Sequence, residues 1–259
     1  MTDLAETLDR AACEARAVPQ SPPGKSLSLD DAYRAQARVV ARRLERGERP
    51  VGLKVGLTSE AKMRQVGVRE VILGRLTDAM QISDGGFVDL GRMIHPRVEP
   101  EVAFLLSRPL PPTSDPASVL ACVAGVAAAL EIIDSRYQGF RFDLGDVVAD
   151  NASSAGFVLG PWHPVGTDVG DIPIELALAG ETGETGSSAE ILGHPLRALA
   201  EAGRIAAVQG IPMAAGDVVL SGAATAAIPL RDGAQVNARF GALGHLTLRA
   251  GFGARTTAT

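Results

Sequence analysis

The sequence predicts an α+β fold, with a mixed β-sheet body over residues 51–259 behind a helical N-terminal arm of residues 1–50. Three observations predict it. Apolar residues recur at helical spacing in two early segments, strand-like apolar runs dominate the remainder, and no linker is long enough to force a domain boundary. A chain of 259 residues can bury a sizeable core.

The first helix is expected within residues 1–17, where Leu4, Leu8, Ala11, Ala12 and Ala15 fall on one face. A Pro/Ser break follows, then a second helix over 29–46 with Asp30 near its start and Gly47 as its stop. Residues 51–58 read as a strand with one charge, Lys54, and Thr58 or Ser59 caps a helix through Met63 and Gln65. Residues 74–80 lead to a glycine loop, and Asp78 there fits a turn cap. A short strand is expected at 87–90 and a longer one over 95–106. Residues 116–129 read as a helix or a buried strand, running into a β-rich segment at 130–136. An aromatic patch at 137–144 precedes a small polar cluster at 150–156 and a strand at 157–160. The last third is strand-rich (174–179, 218–221, 235–240, 245–248), with one helix from Pro195 to about Gln209, and residues 251–259 read as a loose tail.

Composition excludes several classes. Charged residues make up 21% and hydrophobic residues 46%, which argues against disorder. A net charge of −5 provides no basic footprint for nucleic acid. The longest apolar run is short and broken by Gly125, so no membrane span is expected. Asp3 and Glu6 at the start do not suggest an export signal, and Cys13 and Cys122 suggest neither a disulfide framework nor a zinc site. A cytoplasmic setting follows as the expectation.

The chemistry concentrates in His95-Pro96-Arg97-Val98-Glu99-Pro100-Glu101. Side chains alternate along a strand, so Glu99 and Glu101 share one face. Two carboxylates on a mostly apolar strand repel, and a hard divalent cation such as Mg²⁺ resolves the conflict. Alternatively both lie on the solvated face of an edge strand, which Pro100 permits. Glu131, set among aliphatics, is a third carboxylate in an apolar setting. Lys54 in its short strand needs an anionic partner, as a core-edge salt bridge or as a catalytic group.

Four motifs then carry a resemblance. Gly52-Leu53-Lys54-Val55-Gly56-Leu57-Thr58-Ser59, the His95–Glu101 segment, Glu131-Ile132-Ile133-Asp134-Ser135-Arg136 and Asp150-Asn151-Ala152-Ser153-Ser154 occur in an order that resembles the 2-keto-4-pentenoate hydratase and 4-oxalocrotonate decarboxylase group of the fumarylacetoacetate hydrolase superfamily. Residues 214–222 are similar to that superfamily's Gly-Asp strand. The segment from Asp134 to Leu144, with its aromatic residues, is similar to the decarboxylase branch. Val71-Ile72-Leu73-Gly74 and Ala223-Ala224-Thr225 depart from the group's pattern.

The resemblance implies a fumarylacetoacetate hydrolase-like body that binds Mg²⁺ or Mn²⁺ through Glu99, Glu101 and Glu131. It implies a decarboxylase that converts 2-oxohex-3-enedioate to 2-hydroxypenta-2,4-dienoate and CO₂ in aromatic catabolism. The alternatives are a vinylpyruvate-type hydratase and a non-catalytic partner of a hydratase. Lys54 would face the developing enolate or the C1 carboxylate, and Asp78 would move the proton on carbon. Ser154, Ser221 and Gly222 would hydrogen-bond the 2-oxo acid. Arg136 or Arg141 would meet a distal carboxylate or serve structure. A homo-oligomer, and a complex with a related hydratase, complete the expectation.

Overall fold

The computed structural model describes residues 3–22, 25–59, 70–113 and 115–253. The helix expected through Met63 and Gln65 lies outside them. Helices α1 (Leu4–Cys13) and α2 (Leu29–Glu45) open the chain, followed by β1 (Pro50–Gly56), β2 (Ile72–Thr77), β3 (Gln81–Ile82) and β4 (Phe87–Asp89). The central pair is β5 (Arg97–Leu106) and β6 (Val123–Ile133), joined through the short helix α3 (Pro116–Leu120). Helix α4 (Leu144–Ala149), β7 (Ser154–Leu159), β8 (Pro173–Leu178), β9 (Glu184–Ser187) and helix α5 (Pro195–Val208) come next. The chain closes with β10 (Val218–Ala223), β11 (Ile228–Pro229), β12 (Ala234–Phe240) and β13 (His245–Gly251).

Two mixed sheets result. One has the order β2-β1-β10-β5-β6-β7-β3, with β11 beside β5, and the other has the order β4-β13-β12-β8-β9. The expected α+β class is the observed one, with mixed sheets. The segment left open as helix or strand divides into α3 and the long strand β6. Strands β2 and β9 and helix α4 were not anticipated; Gly74 breaks the pattern of β2, β9 has no apolar residue, and Asp143 and Asp146 form a capping box that only the structure reveals.

Alternation along β5 decides where the chemistry sits. Val98, Val102 and Phe104 face the large core shared with the helices and the second sheet. The other face meets a smaller cluster that includes Ala103, Ala127, Ala129, Phe157 and Leu220. Glu99 and Glu101 lie on this second face. Glu99 stands directly opposite Glu131 in the β5–β6 register, so all three carboxylates point the same way.

Strand β5 is central, between β10 and β6, so the edge-strand alternative fails. Pro100 is tolerated there because it lies just past the end of β10 at Ala223, which pairs with Glu101, and the Pro100 carbonyl accepts from Ala224 N at 3.0 Å.

The N-terminal helices pack into the same core, with Leu8, Ala32 and Tyr33 buried. Gln36 Nε2 donates to Leu73 O at 2.8 Å and Val148 O at 2.9 Å, and Tyr33 Oη accepts from Leu73 N. Among the described residues no helix is long and apolar enough to cross a membrane.

Asp9 fastens α1 to α2 by accepting from Arg42 Nε at 2.9 Å and from Arg46 Nη2 at 2.7 Å. Burial opposes its charge, but Arg46 and Arg42 together hold the carboxyl below its ordinary range. A depressed folded pKa stabilises the fold above the unfolded value, and that stability is lost as pH falls through the folded one. Asp9→Asn is therefore expected to cost about 1–2 kcal/mol at neutral pH. Urea titrations should show that cost shrinking below about pH 4, where the wild-type carboxyl also protonates.

Candidate active site

Lys54, Glu99, Glu101 and Glu131 converge where β1, β5 and β6 end in a cleft of about 1320 Å³. Lys54, Glu99 and Glu101 line it, and Glu131 lies beneath its floor, fully buried. Lys54 Nζ is 3.0 Å from Glu131 Oε2. Neither Glu131 oxygen has a well-aligned hydrogen-bond donor among the described residues, so the attraction of the two charges dominates this contact.

Three buried carboxylates thus gather around the Lys54 ammonium. Burial works against the Lys54 charge, but the surrounding carboxylates, Glu131 foremost, outweigh it and raise its pKa. Burial also raises Glu131, opposed by Lys54 and reinforced by Glu99. Glu101 is raised well above the ordinary range, first by burial and then by Glu131. Lys54 cannot by itself balance three ionised carboxylates, and a hard divalent cation is the partner such a set attracts.

The backbone around the cluster is built to hold these groups. Gly222 N donates to Glu101 Oε2 at 2.7 Å, from within the β10 bulge. Gly222 has φ +99°, and a Cβ there would stand 2.1 Å from Thr58 Oγ1, so only glycine fits. Gly74, opposite Lys54 in β2, leaves room for the lysine stem; a Cβ there would lie 2.9 Å from Lys54 Cγ.

Three consecutive non-glycine residues, Asn151, Ala152 and Ser153, adopt left-handed conformations with φ of 51°, 51° and 58°. Each costs on the order of 1–2 kcal/mol, and a tight set of contacts must hold the turn. Asn151 supplies part of it, with Oδ1 accepting from Arg75 N at 2.7 Å and Nδ2 donating to Arg75 O at 2.9 Å. Lys54 Nζ donates to Ala152 O at 3.1 Å. The turn thereby fixes the lysine and presents Ser153, whose buried Oγ lacks a partner, to the cleft.

Residues 68–250 match the family described as Fumarylacetoacetate (FAA) hydrolase C-terminal, more than half of the chain. The chain belongs to the fumarylacetoacetate hydrolase family. Within this family it is 48% identical over 244 residues to a 4-oxalocrotonate decarboxylase of Pseudomonas sp, covering 94% of this chain and 95% of that one. A 2-keto-4-pentenoate hydratase of Paraburkholderia xenovorans (strain LB400) is 39% identical over 211 residues, 80% of this chain and 78% of that one. The solved 4-oxalocrotonate decarboxylase from Pseudomonas putida G7, complexed with magnesium and adipate, superposes with a TM-score of 0.91. It is 35% identical and the match covers 95% of both chains.

This member of the fumarylacetoacetate hydrolase family brings only some of the sequence-named residues together. Lys54, Glu99, Glu101 and Glu131 form one cluster, and the Gly222 N–H touches it. Asp78 is not at the cleft. It accepts from Arg49 N and Arg49 Nε, each at 2.9 Å, and these bonds keep its carboxyl below the usual range. The motif position suggested an acid/base, whereas the structure makes Asp78 a turn and ion-pair residue.

Ser154 is buried with its Oγ 3.9 Å from Met80 Sδ, and Ser221 Oγ is buried without a partner; neither lines the cleft. Ser153, one residue earlier, does. The signal that would have separated the two serines is the left-handed turn, which sequence does not display. Arg136 is structural: Asp150 pairs with its Nε, and its Nη1 donates to Ser154 O at 3.2 Å. Burial pushes the Asp150 carboxyl up to about 6 despite that pairing. Arg97, Phe140 and Phe142 line the cleft and were missed as site residues.

The donor set fits a hard divalent ion: carboxylate oxygens, with neither Glu131 oxygen holding a well-aligned donor among the described residues. Among the described residues no three His, Cys, Asp or Glu side chains are already gathered as a cation cage, so the fit rests on charge and donor chemistry.

In chelator, where Lys54 is the cation paired with Glu131 among the described residues, Lys54→Met is expected to lower stability by about 3–5 kcal/mol. Adding Glu131→Gln should recover part of that loss, read from paired urea unfolding curves. An unchanged Lys54→Met curve would show that the ion pair does not stabilise the fold.

Proposed function

We propose that this protein is a metal-dependent decarboxylase. It converts 2-oxohex-3-enedioate (4-oxalocrotonate) to 2-hydroxypenta-2,4-dienoate and CO₂. The observation that supports this most is the buried trio Glu99, Glu101 and Glu131 set against Lys54 at a cleft floor, in a chain 48% identical to a protein of that name. Mg²⁺ or Mn²⁺ would be held by Glu99, Glu101 and Glu131, and when bound it supplies Lewis acidity to the 2-oxo group.

The chain's own residues do the rest. Lys54 directs its ammonium at the oxygen on which negative charge develops. Ser153 Oγ, buried and unpartnered, donates a hydrogen bond to the inner end of the substrate. Phe140, Phe142 and Val147 give the cleft an apolar wall that removes water from the carboxylate being lost. The bond between C5 and C6 breaks, CO₂ leaves, and the electron pair moves through the C3–C4 double bond to the 2-oxo oxygen. That oxygen is protonated on release.

No proton is placed on carbon in this sequence. The reaction therefore has no need of Asp78, which agrees with its place in an ion pair away from the cleft. Water addition, the reaction of a hydratase, does require carbon protonation. The 39% identity to a 2-keto-4-pentenoate hydratase makes that activity the second reading. The proposal extends to a cytoplasmic homo-oligomer acting in aromatic catabolism, and to a complex with a related hydratase that consumes the product.

Purified protein supplied with Mg²⁺ or Mn²⁺ is expected to release CO₂ from 2-oxohex-3-enedioate and to stop when chelator is added. Glu131→Gln should abolish that activity while leaving the circular dichroism spectrum unchanged. Water addition to 2-hydroxypenta-2,4-dienoate without CO₂ release would establish the hydratase instead. Tight hydratase binding with turnover of neither substrate would establish the non-catalytic partner.

A further inference from the structure

The cleft has chemically distinct linings. Its floor holds the carboxylate cluster, whereas Arg97 at the start of β5 and Phe140, Arg141 and Phe142 of the loop after β6 also line it. Arg97 lies on the same face of β5 as Glu99 and Glu101, because all three are two residues apart. One side-chain repeat along a strand is about 6.6 Å. Arg97 therefore stands beyond Glu99 by a distance comparable to the span of an extended six-carbon diacid.

Arg97 is also held in place. Its guanidinium carbon lies 4.5 Å from the centroid of the Phe140 ring, a stacked cation–π contact. Phe140 is fixed in turn: His95 packs on its other contacts at 4.6 Å between centroids, and Gly139 and Phe140 both take left-handed conformations, with φ of 63° and 56°. The N-terminal segment secures the base of this loop, since Gln138 N donates to Val18 O at 2.9 Å and Val18 N to Arg136 O at 2.8 Å. Among the described residues no carboxylate pairs with Arg97.

The other cationic side chains are weaker candidates. Arg136 is engaged by Asp150. Arg197 Nη1 donates to Leu192 O at 3.3 Å. Arg141 is exposed, and an exposed ion pair adds little. A half-buried, pre-oriented guanidinium with donors to spare is the better carboxylate receptor.

We propose that Arg97, held on Phe140, is the specificity-determining receptor for the distal carboxylate of a 2-oxo diacid whose inner end lies at the Lys54–glutamate cluster. This inference rests on the decarboxylase reading for the substrate's inner end and adds what selects its outer end. Because the contact orients the carboxylate before it is lost, it acts mainly on binding.

The test uses two unreactive probes that differ only at the outer end, 2-oxoadipate and 2-oxohexanoate, titrated calorimetrically into the Mg²⁺-loaded full-length protein. Wild type is expected to prefer the diacid by about tenfold or more, and Arg97→Gln to bring that ratio close to one without weakening 2-oxohexanoate. Arg97→Lys should fall between, since it keeps charge but not the planar stack. With 2-oxohex-3-enedioate, Arg97→Gln should raise KM about tenfold at nearly constant kcat.

A wild type without diacid preference would overturn the proposal. So would an Arg97→Gln protein that keeps the preference, or a preference lost only in Arg141→Gln. Diacid preference that depends on Arg97, in a protein that releases no CO₂, would sustain the receptor and remove the decarboxylase reading. The reverse pattern, turnover with a preference indifferent to Arg97, would do the opposite.

Discussion

The structure depends on one electrostatic constraint: three carboxylates buried on a single sheet face beside Lys54. Like charges at this depth are costly unless compensated, and the ion pair between Lys54 and Glu131, at 3.0 Å, supplies only part of the compensation. Much of the local architecture follows from keeping these groups together. Strand β5 is central rather than marginal, β10 ends beside Pro100, and the β10 bulge turns the Gly222 N–H onto Glu101. Gly74 makes space for the lysine stem, and the strained turn at residues 151–153 provides the carbonyl that holds its ammonium.

That arrangement leaves the chemistry at one end of a polarised cleft. The floor can compensate a divalent cation and a 2-oxo group, while the aromatic side, with Phe140 and Phe142, lowers the local polarity. Decarboxylation of a vinylogous β-keto acid asks for an electron sink at one end and a poorly hydrated carboxylate at the other. Both conditions arise from residues on neighbouring elements, β5 and the loop after β6, whose positions the register of β5 on β6 fixes. The match to the solved decarboxylase over 95% of both chains places this whole framework, not a local motif, within the family.

Much of this was legible in the sequence. The period-two spacing of Glu99 and Glu101 put them on one face, and the presence of Glu131 and Lys54 among aliphatic residues marked buried charge. What the sequence could not express was backbone conformation. The serine at the cleft is Ser153 rather than Ser154, because three left-handed residues reverse the ordinary alternation before β7 begins. Asp78 carried a motif but not a place: its partner Arg49 is distant in sequence and sits outside the cleft. Arg97 was quoted within the motif and given no role, since its stacking partner Phe140 lies across a loop whose geometry depends on positive φ angles. Strand β2 went unnoticed because Gly74 interrupts its apolar pattern, and β9, Glu-Thr-Gly-Ser, has no apolar pattern to show.

The most direct measurement of the central claim is a Mn²⁺ titration followed by electron paramagnetic resonance. The account predicts one site per chain, displaced by Mg²⁺ and lost in Glu101→Gln, a variant whose folding is confirmed by thermal unfolding. A folded wild-type protein that binds no Mn²⁺, or a site indifferent to Glu101, would contradict it.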